Sequence, residues 1–219
     1  MSFECNYREI ESKLYSAVIS DILDSLGYRR QTMDPAIRPL RDEMVLFGRA
    51  KTVMAADVNR MPDKPYAKLI DVLDAIGPGE IFVAALGGST RSAFWGELLS
   101  TATRARGGRG AVIDGLSRDS RKIIEMQFPL FSRGMRPTDS LGRNEVIECD
   151  TPIECGGVTV QPGDFIFGDI DGIVVIPAAV AAEVIERALQ KVSAENQVRD
   201  AIRNEGMKVA DAYAKFGVL

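Results

Sequence analysis

Apolar positions recur along the chain with two different spacings. Between Tyr7 and Gly27, the residues Ile10, Leu14, Val18, Ile22 and Leu26 fall four apart, which predicts one amphipathic helix stopped by Gly27. A loop rich in Asp, Pro and Arg follows. The segment VLFGRAKTVMAA (45–56) reads as a strand, or as two strands parted at Gly48. AKLIDVLDAI (67–76) predicts a short helix, ended by the turn signal GPGE. IFVAAL (81–86) and GAVIDG (110–115) are short continuous apolar runs, as expected of strands buried on both faces.

Between and after those runs, WGELLSTATRAR (95–106) predicts a helix ended by Gly107 and Gly108, and SRDSRKIIEM (117–126) a helix capped by Ser117. Strand, loop and helix thus recur from residue 80 to 126 in a βαβ-type rhythm. Beyond Pro129 the pattern shifts to short strands with Gly, Pro and Asp turns: LFSRG, EVIECD, GVTVQPGDFIFGD and GIVVIP. A long helix is predicted over 178–204 and a short one over 208–217. No repeat or composition break divides the chain, so one α/β domain over residues 1–219 is expected, with a β-rich layer and a helical tail at 178–219.

Composition narrows the chemistry. A formal charge of −4 lacks the concentrated positive field that nucleic acid or an anionic membrane demands, so neither is expected as a partner. Cys5, Cys149 and Cys155 form no CxxC pair, and three is an odd number for a disulfide framework. With no secretory pattern at the start and no long apolar run, a cytoplasmic location is expected. The chain has no histidine, which removes Ser-His-Asp and Cys-His nucleophiles and histidine zinc sites. Catalysis here would need carboxylates, Arg, Lys, Tyr, backbone amides, or a metal held by oxygen, which points to Mg²⁺ or Mn²⁺.

Two loops follow the predicted parallel strands, where ligands of α/β folds gather. GGSTRSAFWGELL (87–99) supplies Arg91, Trp95 and Glu97, and DGLSRDSR (114–121) supplies Asp114, Arg118, Asp119 and Arg121. An arginine fork with helix-terminal amides suits a carboxylate, and the acidic oxygens suit a divalent ion. Asp114-Gly115 reads as a turn after the strand, and the Asp169–Asp171 pair in GDIDG as a hairpin turn rather than a calcium loop. Trp95 reads as a packing wall of the pocket.

The stretch FWGELLSTATRARGGRGAVIDGLSRDSR (94–121), supported by VISDILDSLG, GRAKTV and GDIDGIVVIP, resembles a known family. It comprises class II pyruvate aldolases acting on 4-hydroxy-4-methyl-2-oxoglutarate and 4-carboxy-4-hydroxy-2-oxoadipate, together with proteins named as regulators of ribonuclease activity A. The aldolase mark is an acidic residue, twenty intervening residues, then Arg-Asp. Glu97 and Arg118-Asp119 meet that spacing, with Glu where the strict form has Asp. The resemblance implies an α/β/β layered sandwich of swivelling-domain type.

It also implies roles. Asp119 would ligate Mg²⁺ or Mn²⁺, Glu97 would hold the ion through water, and Arg118 would pair with the substrate carboxylate. The amides of Leu98 and Leu99 would take the pyruvyl oxygens, with Arg91 as a further substrate contact. The implied reaction is retro-aldol cleavage of a 4-hydroxy-2-oxo diacid to pyruvate, with oxaloacetate decarboxylation sharing the same electron sink. The family forms trimers or hexamers, and Glu195 is the candidate acidic residue reaching a neighbouring subunit's metal. The alternative is a non-catalytic protein that binds and regulates a ribonuclease or another partner. Those regulators tend to be shorter and to lack the full motif. A Schiff-base lysine, for which Lys51 is the candidate, would make this a class I aldolase instead.

Overall fold

The computed structural model describes residues 6–217; Cys5 and the last two residues of the expected tail lie outside them. The helices are α1 (Tyr7–Lys13), α2 (Ser16–Ser25), α3 (Ala67–Asp74), α4 (Glu97–Ala105), α5 (Ser120–Glu125), α6 (Ala181–Glu205) and α7 (Val209–Phe216). The strands are β1 (Arg38–Pro39), β2 (Leu46–Asp57), β3 (Glu80–Trp95), β4 (Gly110–Ser117) and β5 (Leu130–Met135). They continue with β6 (Asn144–Cys149), β7 (Ile153–Cys155), β8 (Val158–Val160), β9 (Phe165–Asp169) and β10 (Gly172–Ile176).

One large sheet runs in the order β1-β5-β4-β3-β2-β9-β10, with β6 pairing farther along β2. Strands β2, β3, β4 and β5 are parallel neighbours, and each step between them crosses through a helix: α3, then α4, then α5. On one face, Leu69, Val72, Ile123, Phe128 and Trp95 form a core with Phe82 and Ile113 of the strands. On the other face Ile153, Cys155, Val158 and Val160 of the β7–β8 hairpin pack with Val83, Val112 and Phe131. A third cluster joins α1, α2 and the start of α6 to Phe47, Phe165 and Phe167. The expected α/β/β layering with a long C-terminal helix is therefore present.

Three local expectations are corrected. The first helix is broken: Leu14 and Tyr15 are extended, and α2 starts afresh at Ser16. The buried Asp169 carboxylate causes this, accepting from the Ser16 amide at 2.8 Å and its hydroxyl at 2.7 Å. No apolar period could disclose a cap arriving from a distant hairpin. Asp169 also accepts from the Asp171 amide, so GDIDG is the expected hairpin turn. Strand β2 passes unbroken through Gly48, where a Cβ would meet the Gly79 carbonyl oxygen at 2.6 Å; the glycine answers to space, not to a break.

Residues expected to form a loop after IFVAAL belong to β3 instead. Ala85 pairs with Asp114, Ser89 with Gly115, Ala93 with Leu116 and Trp95 with Ser117, so the strand swings out and returns to the same partner. Gly87 and Gly88, at φ 59° and 72°, permit the swing. Finally, the α5 cap is Asp119, not Ser117. Ser117 ends β4 with its hydroxyl buried against Ser132 and the Gly134 carbonyl.

Candidate functional site

The parallel strands β3 and β4 end side by side at Trp95 and Ser117, and the residues that follow face each other. After β3 come Gly96 and the first turn of α4. After β4 come Arg118 and Asp119. A cleft of about 260 Å³ opens between them, lined by Leu98, Leu99, Arg118, Asp119, Asp139 and Tyr66 among others. Its apolar side is built from Phe94, Trp95, Leu69 and Leu73. Trp95 is fully buried and donates its indole N–H to Ser100 Oγ at 2.8 Å, so it serves as a rigid wall.

Asp119 is held in the left-handed region at φ 59°, a conformation uncommon outside glycine and best tolerated by Asn and Asp. Its Oδ2 accepts from the Glu97 amide at 3.2 Å and stands 3.7 Å from Arg118 Nε. A carboxylate is thereby set against the N-terminus of α4, where the helix dipole favours negative charge. The amides of Leu98 and Leu99, at the second and third positions of α4, have no intrahelical carbonyl to bond. They remain donors for an anionic ligand.

Arg118 Nη1 lies 3.0 Å from Asp139 Oδ1. The other Asp139 oxygen accepts from the Tyr66 hydroxyl at 2.8 Å and the Leu141 amide at 3.2 Å. Partial burial works to raise the Asp139 carboxyl pKa. The bonds from Tyr66 and Leu141 and the Arg118 charge outweigh it, so Asp139 lies below its ordinary value. Burial, then the bond to Asp139, pushes the Tyr66 phenol up. Sequence reasoning missed both residues. They sit in aperiodic loops that carry no motif.

The remaining expected site residues divide. Leu98, Leu99, Arg118 and Asp119 share the cleft. Glu97 stands at its edge: its amide meets Asp119, but Oε1 accepts from Thr101 Oγ1 at 2.9 Å one turn along α4. Arg91 is not brought into the cleft; it rides the β3 excursion and donates to the Val58 carbonyl at 3.2 Å. Glu195, on α6, is bonded to the Tyr15 hydroxyl within the same chain. Asp114, expected in a turn, is a buried strand residue paired with Arg133 and accepting from the Gly156 amide. Lys51 pairs with Asp150 at 2.7 Å, away from the cleft.

A divalent ion fits this donor set only in an open form. The available atoms are hard oxygens suited to Mg²⁺ or Mn²⁺. Among the described residues no three His, Cys, Asp or Glu side chains cluster to cage an ion. Asp119 would be the direct ligand, with water taking most of the other positions. No helix among the described residues is long and apolar enough to cross a membrane.

Residues 16–175 match the family model described as RraA-like, Aldolase/RraA. A protein of Halalkalibacterium halodurans named "Putative 4-hydroxy-4-methyl-2-oxoglutarate aldolase" is 30% identical over 195 residues, covering 89% of this chain and 87% of that one. A chain from a crystal structure of novel cellulases from microbes associated with the gut ecosystem superposes with a TM-score of 0.83, at 27% identity over 90% of each chain. Streptomyces coelicolor RraAS2, described as an unusual member of the RNase ES inhibitor RraA protein family, superposes with a TM-score of 0.77. It is 29% identical over 87% of this chain and 95% of its own.

Proposed function

The chain belongs to the RraA-like, Aldolase/RraA family, and from that premise we propose that it is a divalent-metal-dependent pyruvate aldolase that also decarboxylates oxaloacetate. One observation carries the reading. A left-handed aspartate, an arginine and the free first-turn amides of α4 converge on a single cleft at the ends of parallel strands. Guanidinium and helix amides together select a small carboxylate. A neutral sugar would leave both without a charged partner, which argues against a cellulase reading.

The proposed chemistry is the cleavage of a 4-hydroxy-2-oxo diacid. A Mg²⁺ or Mn²⁺ ion on Asp119 would supply Lewis acidity to the 2-oxo group. Arg118 forks the C1 carboxylate, and the Leu98 and Leu99 amides hold the pyruvyl oxygens. The C4 hydroxyl gives up its proton to water held at Glu97, the C3–C4 bond breaks as C4 becomes a carbonyl, and its electron pair passes to C3, conjugated with the 2-oxo group. Glu97 keeps one oxygen free of Thr101 to hold a water, which returns a proton to C3. Pyruvate and a second carbonyl product leave. Phe94, Trp95, Leu69 and Leu73 keep bulk water from the cleft wall.

Self-association belongs to the same proposal. Leu98 and Ile70 are exposed apolar residues at the mouth of the cleft, where a second copy would cover them. Glu195 of such a copy would add a carboxylate oxygen, one of its two oxygens being held by its own Tyr15.

The test is pyruvate release from oxaloacetate by purified protein with Mg²⁺ or Mn²⁺, repeated after chelation, each against a metal-only control. Release that requires protein and is abolished by chelation is the expected result. Its absence with hydroxylated 2-oxo diacids as well would overturn the catalytic reading in favour of a binding protein.

A further inference from the structure

Arg118 extends into the cleft from the residue between β4 and the α5 cap, with a side chain more than one-third exposed. An arginine so placed would ordinarily sample many rotamers. Here its Nη1 faces the Asp139 carboxylate in an ion pair at 3.0 Å, while Asp119 stands farther off, 3.7 Å from Nε. Nη2 has no partner among the described residues. A carboxylate fork needs two N–H groups on one edge of the guanidinium. With Nη1 turned toward Asp139, the edge left for a ligand is Nε and Nη2.

Asp139 is itself held from three directions. Tyr66, just before α3, donates its hydroxyl to Oδ2, and the Leu141 amide donates to the same oxygen. The backbone beside it is pinned to β3, where the Ala93 amide donates to the Thr138 carbonyl at 2.8 Å. The strand that pins Asp139 is the one that delivers Gly96 and α4. Tyr66 adopts the left-handed region at φ 60°, rare for a bulky residue, and so turns its ring toward the cleft.

We propose that Asp139, fixed by Tyr66, is a positioning residue that presents the Nε–Nη2 edge of Arg118 to the substrate carboxylate. The proposal rests on the aldolase reading and adds a specificity device to it. Asp139 touches no reacting atom. It acts through Arg118, so its loss weakens substrate capture more than the bond-breaking step.

The experiment compares KM and kcat for oxaloacetate in wild type, Asp139→Asn, Tyr66→Phe, Arg118→Ala and the Asp139→Asn/Arg118→Ala pair, with melting temperatures for each. Asp139→Asn should raise KM about tenfold, because the charge that orients the guanidinium is lost, with kcat within about twofold. Tyr66→Phe, which removes only a hydroxyl, should raise KM about threefold. In the Arg118→Ala background, Asp139→Asn should add nothing further to KM. An unmoved KM in Asp139→Asn, or a full additional rise in the Arg118→Ala background, overturns the positioning role while leaving the aldolase reading intact. A lowered melting temperature with wild-type kinetics marks Asp139 as a structural tie and overturns it too. No turnover in the wild type defeats the aldolase reading, and the positioning role falls with it.

Discussion

The Asp119 carboxylate occupies the space that a side chain at Gly96 would need: a methyl group there would lie 2.7 Å from Asp119 Oδ2. Gly96 has an extended backbone at φ −152°, which any residue adopts, so the glycine is required by proximity alone. That closeness lets the carboxylate sit on the Glu97 amide at the start of α4. Gly96→Ala should therefore push Asp119 off the helix terminus while leaving the strand and helix formed. We expect kcat/KM for pyruvate release to fall about a hundredfold, the usual consequence of misplacing a site group by an ångström. Melting temperature should change by only a few degrees. Wild-type kinetics in Gly96→Ala would mean that the position of Asp119 does not matter to turnover.

Asp119 has two jobs that two substitutions separate. Asn tolerates the left-handed backbone and can still accept from the Glu97 amide, but it lacks the charge. Asp119→Asn should keep wild-type stability and lose about two to three orders of magnitude in kcat. Asp119→Ala should lose as much activity and in addition about 1 kcal/mol of stability, because alanine pays the left-handed penalty. Urea denaturation beside the kinetic assay distinguishes the two. Turnover retained by Asp119→Asn would remove this carboxylate from the reaction.

How much of this was legible from sequence depends on how local each cause is. Arg118-Asp119 stood out because it directly follows a buried apolar strand, and Glu97 lies a fixed distance before it. Tyr66 and Asp139 lie far apart in the chain, in loops without period, and only the fold brings the phenol to the carboxylate. The break at Leu14 and Tyr15 is likewise remote in origin, since Asp169 supplies the cap for α2. Arg91 lies outside the cleft for a reason hidden from sequence, because Gly87-Gly88 reads as the end of a strand. In the fold the glycines begin an excursion, and pairing with β4 resumes beyond it.

The pair Asp114–Arg133 makes a stability prediction independent of function. Asp114 is almost wholly buried, and Arg133 bridges it to Asp34 at 2.8 Å. Burial works against the Arg133 charge, but the two carboxylates prevail and raise its pKa. Arg133→Ala would leave the Asp114 carboxylate buried with only the Gly156 amide for company. A loss of about 3 to 5 kcal/mol is expected in urea denaturation, the range for breaking a buried pair on one side. Asp34→Ala removes only the exposed arm and should cost much less.

Tyr15 and Glu195 tie α2 to α6, and their bond predicts a pH dependence. Burial, then the hydrogen bond and charge of Glu195, raises the Tyr15 phenol from 10.0 to about 12. Between those values the unfolded chain releases this proton while the folded chain keeps it. The tie's contribution is thus complete below pH 10.0 and disappears as pH rises through about 12. The stability difference between wild type and Tyr15→Phe should stay constant up to the lower value and then shrink, as read from urea midpoints. Other tyrosines titrate in both proteins and cancel in the difference. Tyr15→Phe also leaves the Glu195 carboxylate without its phenol partner. If Glu195 serves that site, Tyr15→Phe keeps full turnover while Glu195→Gln lowers it, and mixing Glu195→Gln with Asp119→Ala subunits restores part of the loss. If Glu195→Gln alone is fully active, or if the mixture is no more active than its components, Glu195 has only the intrachain role that its bond to Tyr15 displays.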